Sequence, residues 1–239
     1  MRRRDLLLLN LPGGDSLLIA CDAAGGIGPK PHDTIHVPAY TLGRFSARVV
    51  LMEVIAAGGC PVALVDNCCV EPSPTGEELL RGVRDEAALV GVPSDAITGS
   101  FEKNIPVAQT ALGVTAIAVA GRPAGQTQPG DLIVAVGRPK AGNEVHLEDP
   151  EIADLPLVHR LARDPAIHDI LPVGSRGIAA EVAEMAPAAE LLPPEPGWDL
   201  AKSAGPATCV LMAVAPSTLP ALALVLSCPW TLVAQVPAH

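Results

Sequence analysis

The sequence predicts an α+β protein built as two domains. Three observations carry this. Over residues 1–121, apolar runs of strand length alternate with two stretches of helical period. A linker rich in Pro and Gly, "RPAGQTQPGD" at 122–131, interrupts the pattern. A second, shorter alternation of strands and helices then fills 132–239. With 239 residues and 49% apolar content, the chain can bury two cores and is not disordered.

The elements follow in order. "MRRRDLLLLN" and "SLLIACDA" (16–23) are strands joined by the turn "NLPGGDS", and "DTIHVP" (33–38) is another strand. "AYTLGRFSARVVLMEVIAAGG" is a helix, with Leu42, Phe45, Val49, Met52 and Ala56 on one stripe and Gly58-Gly59 ending it. "PVALVDNCCV" is a strand. Ser73-Pro74 and a Thr75–Glu78 capping pair start a helix that runs to about Val90. "DAITGS" and "TALGVTAIAVAG" are strands, so the helices should lie on one face of a sheet. Past the linker come the strand "DLIVAVGRP", a helix over about 151–163, the strand "HDILPV" and the helix "SRGIAAEVAEMA". The strand "ATCVLMAV", the helix "STLPALALVLS" and the strand "WTLVAQV" complete the chain.

Composition removes several classes of function. A net charge of -10 and 2% aromatics supply neither the basic face nor the stacking platforms that nucleic acid requires. A signal peptide needs an unbroken apolar stretch of about 7–15 residues; Asn10, Pro12, Gly13, Gly14 and Asp15 interrupt it here. The segment from Ala204 onward lacks Asp, Glu, Lys and Arg, but Pro206, Pro216, Pro220 and Pro229 divide it into pieces of core length, not a membrane span. Six cysteines show no C-x-x-C pair and no zinc spacing with histidine. They are expected to be reduced core residues of a cytoplasmic protein, with Cys68 and Cys69 facing opposite ways.

Two polar islands interrupt the apolar pattern. In "ACDAAGGIGPKPHD", Asp22 ends a strand, and a carboxylate there is costly without a partner or a metal. Gly25, Gly26 and Gly28 can adopt positive φ and turn backbone N–H groups toward an oxyanion, and Lys30 adds a positive charge. An ordinary glycine turn is the alternative, and the Walker pattern is absent. Glu53 falls on the apolar stripe of the first helix. It either pairs with Arg44 or Arg48 or shares a Mg²⁺ site with Asp22. Asp66 and Asn67 could join that cluster or form a turn. The second island, "TGSFEKNIP", crowds Gly99, Ser100, Glu102, Lys103 and Asn104 between strands. Of only four lysines against twelve arginines, Lys30 and Lys103 fall in the two islands.

With these residues in hand, the chain resembles the aminoimidazole-ribonucleotide-synthase-like superfamily of ATP-using enzymes. "ACDAAGGIGPKPHDTI" looks like its acidic glycine loop, and "ARVVLMEVIAAGGCPV" like its Asn-Asp helix. "ITGSFEKNIPVAQTALGVTAIA" lies where members carry Gly-Gly-(Asp/Glu)-Thr. "LPVGSRGIAAEVAEMA" and "KSAGPATCVLMAV" resemble landmarks of its C-terminal domain. Taken together, "CDAAGGIG", "ARVVLME" and "TGSFEKN" are most similar to the α-ribazole kinases of cobamide salvage.

The resemblance implies a homodimer whose N-terminal sheets form a shared barrel, with ATP and Mg²⁺ as cofactors. It implies Asp22, Glu53 and Asp66 as metal ligands, and Gly25, Gly26, Gly28, Lys30, Gly99, Ser100 and Asn104 as nucleotide contacts. Asp22, Asp33, Glu102 and Lys103 are the candidate catalytic residues, with Asp33, His32 and Glu102 as possible bases. Glu53 stands where Asp is usual and Phe101 where Thr is usual. The implied reaction is phosphoryl transfer to the hydroxyl of a small nucleoside-like alcohol. The alternatives are activation of an amide or acyl oxygen, or a degenerate nucleotide-binding module.

Overall fold

The structure is a computed structural model that describes residues 2–3, 6–121 and 125–238. Of the expected linker, 122–124 lie outside the described residues. The chain divides into two compact units, residues 1–54 with 59–122, and residues 55–58 with 123–239.

The first unit contains β1 (Arg2–Arg3), β2 (Leu6–Asn10), β3 (Ser16–Gly25), β4 (Ile27–Gly28) and β5 (Ile35–His36). Helix α1 (Ala39–Ala56), β6 (Cys60–Cys68), α2 (Glu77–Ala88), β7 (Ile97–Phe101) and β8 (Ala111–Ala120) follow. Six strands form one sheet in the order β1-β2-β3-β8-β6-β7, antiparallel except for the β6–β7 pair. Alternation along the strands gives the sheet two unlike faces. Leu18, Ala20, Leu64, Val114 and Ala116 are buried on one. Leu7, Leu9 and the residues in register with them, Ile19 and Leu17, lie on the other, where Leu7 is 45% and Leu9 42% exposed.

The helical layer covers the first face. Gly59, just past α1, lies so close to it that a Cβ there would meet Leu18 Cδ1 and Ala118 Cβ at 2.9 Å. Helix α1 is buried nearly all round and not on the expected stripe alone; Val50, Leu51 and Val54 are as inaccessible as Met52. The reason is α2, which approaches α1 backbone to backbone at two glycines. A Cβ on Gly43 would overlap the Leu79 carbonyl oxygen, and one on Gly82 the Tyr40 carbonyl oxygen. Beside this contact Glu86, fully buried, accepts from Arg44 Nε (2.5 Å) and Arg48 Nε (2.7 Å). Both arginines considered as partners for Glu53 are thus joined to α2.

Two local expectations need correction. Thr75 does not pair with Glu78 at a cap: its hydroxyl donates to Glu71 Oε1 (2.5 Å), while Glu78 binds Arg81 and α2 starts at Glu77 without a side-chain cap. The strand expected over 33–38 shrinks to β5, because Asp33 and Thr34 form the loop before it and helix α1 begins right after Pro38.

The second unit holds β9 (Leu132–Val136), α3 (Leu155–Leu161), β10 (Ile167–Pro172), α4 (Gly177–Met185) and β11 (Glu190–Leu191). Strand β12 (Val210–Val214), α5 (Leu219–Ala223) and β13 (Trp230–Gln235) complete it. Its sheet runs β10-β12-β9-β13-β11, antiparallel throughout. Ile133, Leu171, Ile178, Val182, Trp198 and Leu211 belong to its core. Helix α3 is shorter than expected because Asp154 caps it, accepting from Leu157 N–H at 2.8 Å. Strand β11 arises in the proline-rich passage, where no strand was expected. Among the described residues, no helix is long and apolar enough to cross a membrane. All six cysteines are free thiols; Cys68, Cys209 and Cys228 are buried, but Cys21, Cys60 and Cys69 are exposed and not core residues as expected.

Candidate functional site

The sheet of the first unit gathers the two polar islands at one end. The C-terminal ends of β3, β6 and β7 and the N-terminal end of β8 meet there. Register places Asp22 opposite Val114, Val114 opposite Asp66 and Asp66 opposite Gly99. Residues in one such row share a face, so Asp22 and Asp66 lie on the helix-covered side with one strand between them. Their Cα atoms are then about 10 Å apart, twice the spacing of neighbouring strands. The next row, Ala23, Gly113, Asn67 and Ser100, faces the open side. Asn67 and Ser100 therefore do not point with the two carboxylates.

Both aspartates sit in a medium that disfavours their charge. Burial raises the Asp22 carboxyl above its ordinary value, partly opposed by a backbone hydrogen bond at Ala23. Burial also raises Asp66, which is 2% exposed, against a hydrogen bond from the Cys68 thiol (3.6 Å) and the charge of Arg84. The same burial, with Asp66 nearby, pushes the Cys68 thiol up to about 12. Gly99 is required beside Asp66, because a Cβ there would overlap the Asp66 carboxylate.

The glycine loop is braced rather than loose. Gly26 (φ +70°) donates its N–H to the Thr110 carbonyl (2.9 Å) and accepts from Thr34 N–H (2.7 Å). Gly28 (φ +146°) has no room for a Cβ, since the Thr110 side chain occupies that place at 2.5 Å. Gly25 is open on its side-chain side.

Asp33 closes the loop. It is 5% exposed and accepts from Thr110 N–H (2.7 Å), Thr110 Oγ1 (2.7 Å) and Lys30 N–H (2.8 Å). Burial alone would raise its carboxyl, but these bonds prevail and hold it below the usual value. Asp33, expected from the sequence as a candidate base, braces the loop through these three bonds. Glu102, the other candidate carboxylate, accepts at Oε1 from Asn104 N–H (2.6 Å) and Ile105 N–H (3.0 Å), which lowers its carboxyl and shapes the turn. His32 contributes its carbonyl to Gln109 Nε2 (2.7 Å). Lys103 and Asn104 are exposed on that turn.

Lys30 reaches across the site to Glu71 on the β6–α2 connection and forms an ion pair with it. Burial would raise Glu71, but the bonds from Lys30 and Thr75 bring it down to about 2. Glu71, Thr75 and Thr110 are site residues that sequence reasoning missed. Each lies in a polar turn with no motif around it; the scarcity of lysine was the one signal pointing to Lys30, and through it to Glu71. Phe101 turns its ring onto Gly76, where a Cβ would come within 2.5 Å of it.

The carboxylates expected to hold a metal are not gathered into one group. Among the described residues, no set of three His, Cys, Asp or Glu side chains is placed to hold an ion. Glu53 is half-buried on α1. Asp22 and Asp66 share one row of the sheet and are two hard oxygen donors whose ionised forms burial leaves undercompensated. They suit Mg²⁺, which commonly takes one or two carboxylates and fills its octahedron with water and phosphate oxygens.

An α+β sheet with a braced glycine loop and paired aspartates at one end, followed by a second antiparallel α+β unit, defines an AIR-synthase-like protein. Residues 4–120 match the family model "AIR synthase related protein, N-terminal domain". Solved structures share the fold over nearly the whole chain. Thiamine-monophosphate kinase from Stenotrophomonas maltophilia K279a is 17% identical with a TM-score of 0.67, covering 99% of this chain and 90% of that one. AaThiL complexed with AMPPCP and TMP is 16% identical with a TM-score of 0.65, covering 98% and 85%. T. maritima PurL complexed with ADP is 15% identical with a TM-score of 0.66, covering 98% of this chain and 42% of that one. A comparison of the sequence with curated proteins gives no significant match.

Proposed function

We propose that the chain is an ATP- and Mg²⁺-dependent phosphotransferase acting on the hydroxyl of a small nucleoside-like alcohol, with α-ribazole as the leading candidate. The observation that carries the reading is the row Asp22–Val114–Asp66–Gly99, set at the sheet end from which the glycine loop emerges. Two fold relatives were solved with nucleotides or an analogue, AMPPCP in one and ADP in the other, and one of those structures also holds TMP.

Each group has a task in this reading. Asp22 and Asp66 would hold Mg²⁺, which when bound neutralises charge on the transferring phosphoryl group. The loop backbone at Gly25, open on its side-chain side, leaves room for phosphate oxygens, and Lys30 adds a fixed positive charge beside them. Asp33 and Thr110 keep that loop in shape, so that little reorganisation accompanies binding. Ser100 and Asn67 face the open side and are left for substrate hydroxyls or a second subunit. The open face itself supports a homodimer.

ATP turnover measured with a panel of alcohols, α-ribazole among them, against a panel of carboxamides and carboxylates tests the proposal. Phosphorylation of an alcohol is the expected result. Turnover confined to carboxamides would replace it with acyl-oxygen activation, and nucleotide binding with no turnover would replace it with a binding module.

A further inference from the structure

We infer that Glu71 is the positioning residue for Lys30, holding its ammonium toward the phosphate groups of the nucleotide. This rests on the reading proposed above and assigns a role to a residue outside the motifs. Glu71 lies on the connection between β6 and α2, 41 positions from Lys30, so only the fold brings the two together.

Its carboxylate is divided between two tasks. Oε2 takes the Lys30 ammonium, and Oε1 takes the Thr75 hydroxyl at 2.5 Å. The Glu71 carbonyl also accepts from Gly76 N–H at 3.1 Å, which fixes the turn that carries it. Lys30 is anchored from its other end, where its N–H donates to Asp33 Oδ2 at 2.8 Å. A flexible four-carbon side chain thus has both ends defined, and its side chain is 16% exposed. An ammonium has three N–H donors. Glu71 takes one, so the others can meet a phosphate while the pair stays intact. Glu71, 35% exposed in its side chain, lies directly against Lys30, so its own charge repels a polyanion at that place once the ammonium is removed.

That last point gives a test a merely structural role would not pass. Binding of Mg²⁺-AMPPCP is measured by calorimetry for the wild type, Glu71→Gln, Lys30→Met and the double variant, with a thermal melt of each to show that it is folded. In the presence of Lys30, Glu71→Gln should weaken binding about tenfold, because the ammonium loses its anchor. In the Lys30→Met background the same change should strengthen binding about two- to fivefold, because an unpaired negative charge is removed. Glu71→Asp, one methylene shorter, should fall between wild type and Glu71→Gln. A reversal of sign between backgrounds supports the proposal. Equal effects in both backgrounds, or an unchanged affinity in Glu71→Gln with a lowered melting temperature, would overturn it while leaving the phosphotransferase reading intact. A wild-type protein that binds no nucleotide would overturn both.

Discussion

At the scale of single residues, acids of one kind do opposite work within a few positions. Asp33 accepts three hydrogen bonds, and its pKa is lowered. Its stabilising contribution is present above the ordinary aspartate value of 3.8 and is lost as the pH falls through the lower value it has in the fold. Asp33→Asn should destabilise the protein by about 1–3 kcal/mol, because Asn presents an N–H₂ where an oxygen accepted. Urea unfolding at neutral pH measures this. Asp22 has a raised pKa, so its ionised form costs stability, and that cost grows as pH rises from the unfolded value through the raised one. Asp22→Asn removes the cost without leaving a cavity. The metal-free variant should melt no lower than wild type at neutral pH, while turnover drops on the order of 10²-fold or more. A lower melting temperature with near-normal turnover would show that Asp22 pairs within the fold and holds no metal.

At the scale of elements, the α1–α2 contact decides how well the helical layer is held. Glycine inside an exposed helix usually costs about 1 kcal/mol relative to alanine. Here the sign should reverse. Gly43 and Gly82 let carbonyl groups of the opposite helix approach where a Cβ would sit. Gly82→Ala must push the helices apart and strain the Glu86 ion pairs beside them, at a cost of about 1–3 kcal/mol. A shift of the urea midpoint to lower concentration is the expected readout; a shift to higher concentration would mean the helices do not pack this closely. Glu86→Gln should cost more, about 3–5 kcal/mol, because it leaves two arginine charges without their buried partner.

At the scale of the whole molecule, the first sheet leaves an apolar face exposed. Leu7, Leu9 and Val62 are each more than 40% exposed, and Ile19 and Ile117 lie in register on the strands between. A contiguous apolar sheet face of this kind favours pairing with another surface. The expected result is a dimer mass by light scattering at micromolar concentration, shifted toward monomer by Ile117→Lys. A wild-type monomer across that range would leave the face without a partner of its own kind.

Much of this protein was legible from order and composition alone. The alternation of strands and helices, the glycine loop after Asp22 and the polar island around Gly99–Asn104 all depend on local chemistry: period, turn propensity and charge. These survive without knowledge of what lies across the sheet. The tertiary structure decided which polar groups meet. Register put Asp66 in the same row as Asp22 and turned Asn67 away. Helix packing sent Arg44 and Arg48 to Glu86. Loop closure used Asp33 as an acceptor for Thr110, 77 positions away, and gave Lys30 to Glu71. Whether a carboxylate is a base, a brace or a metal ligand depends on its donors and its burial. Those are set by contacts distant in sequence, where no local pattern records them.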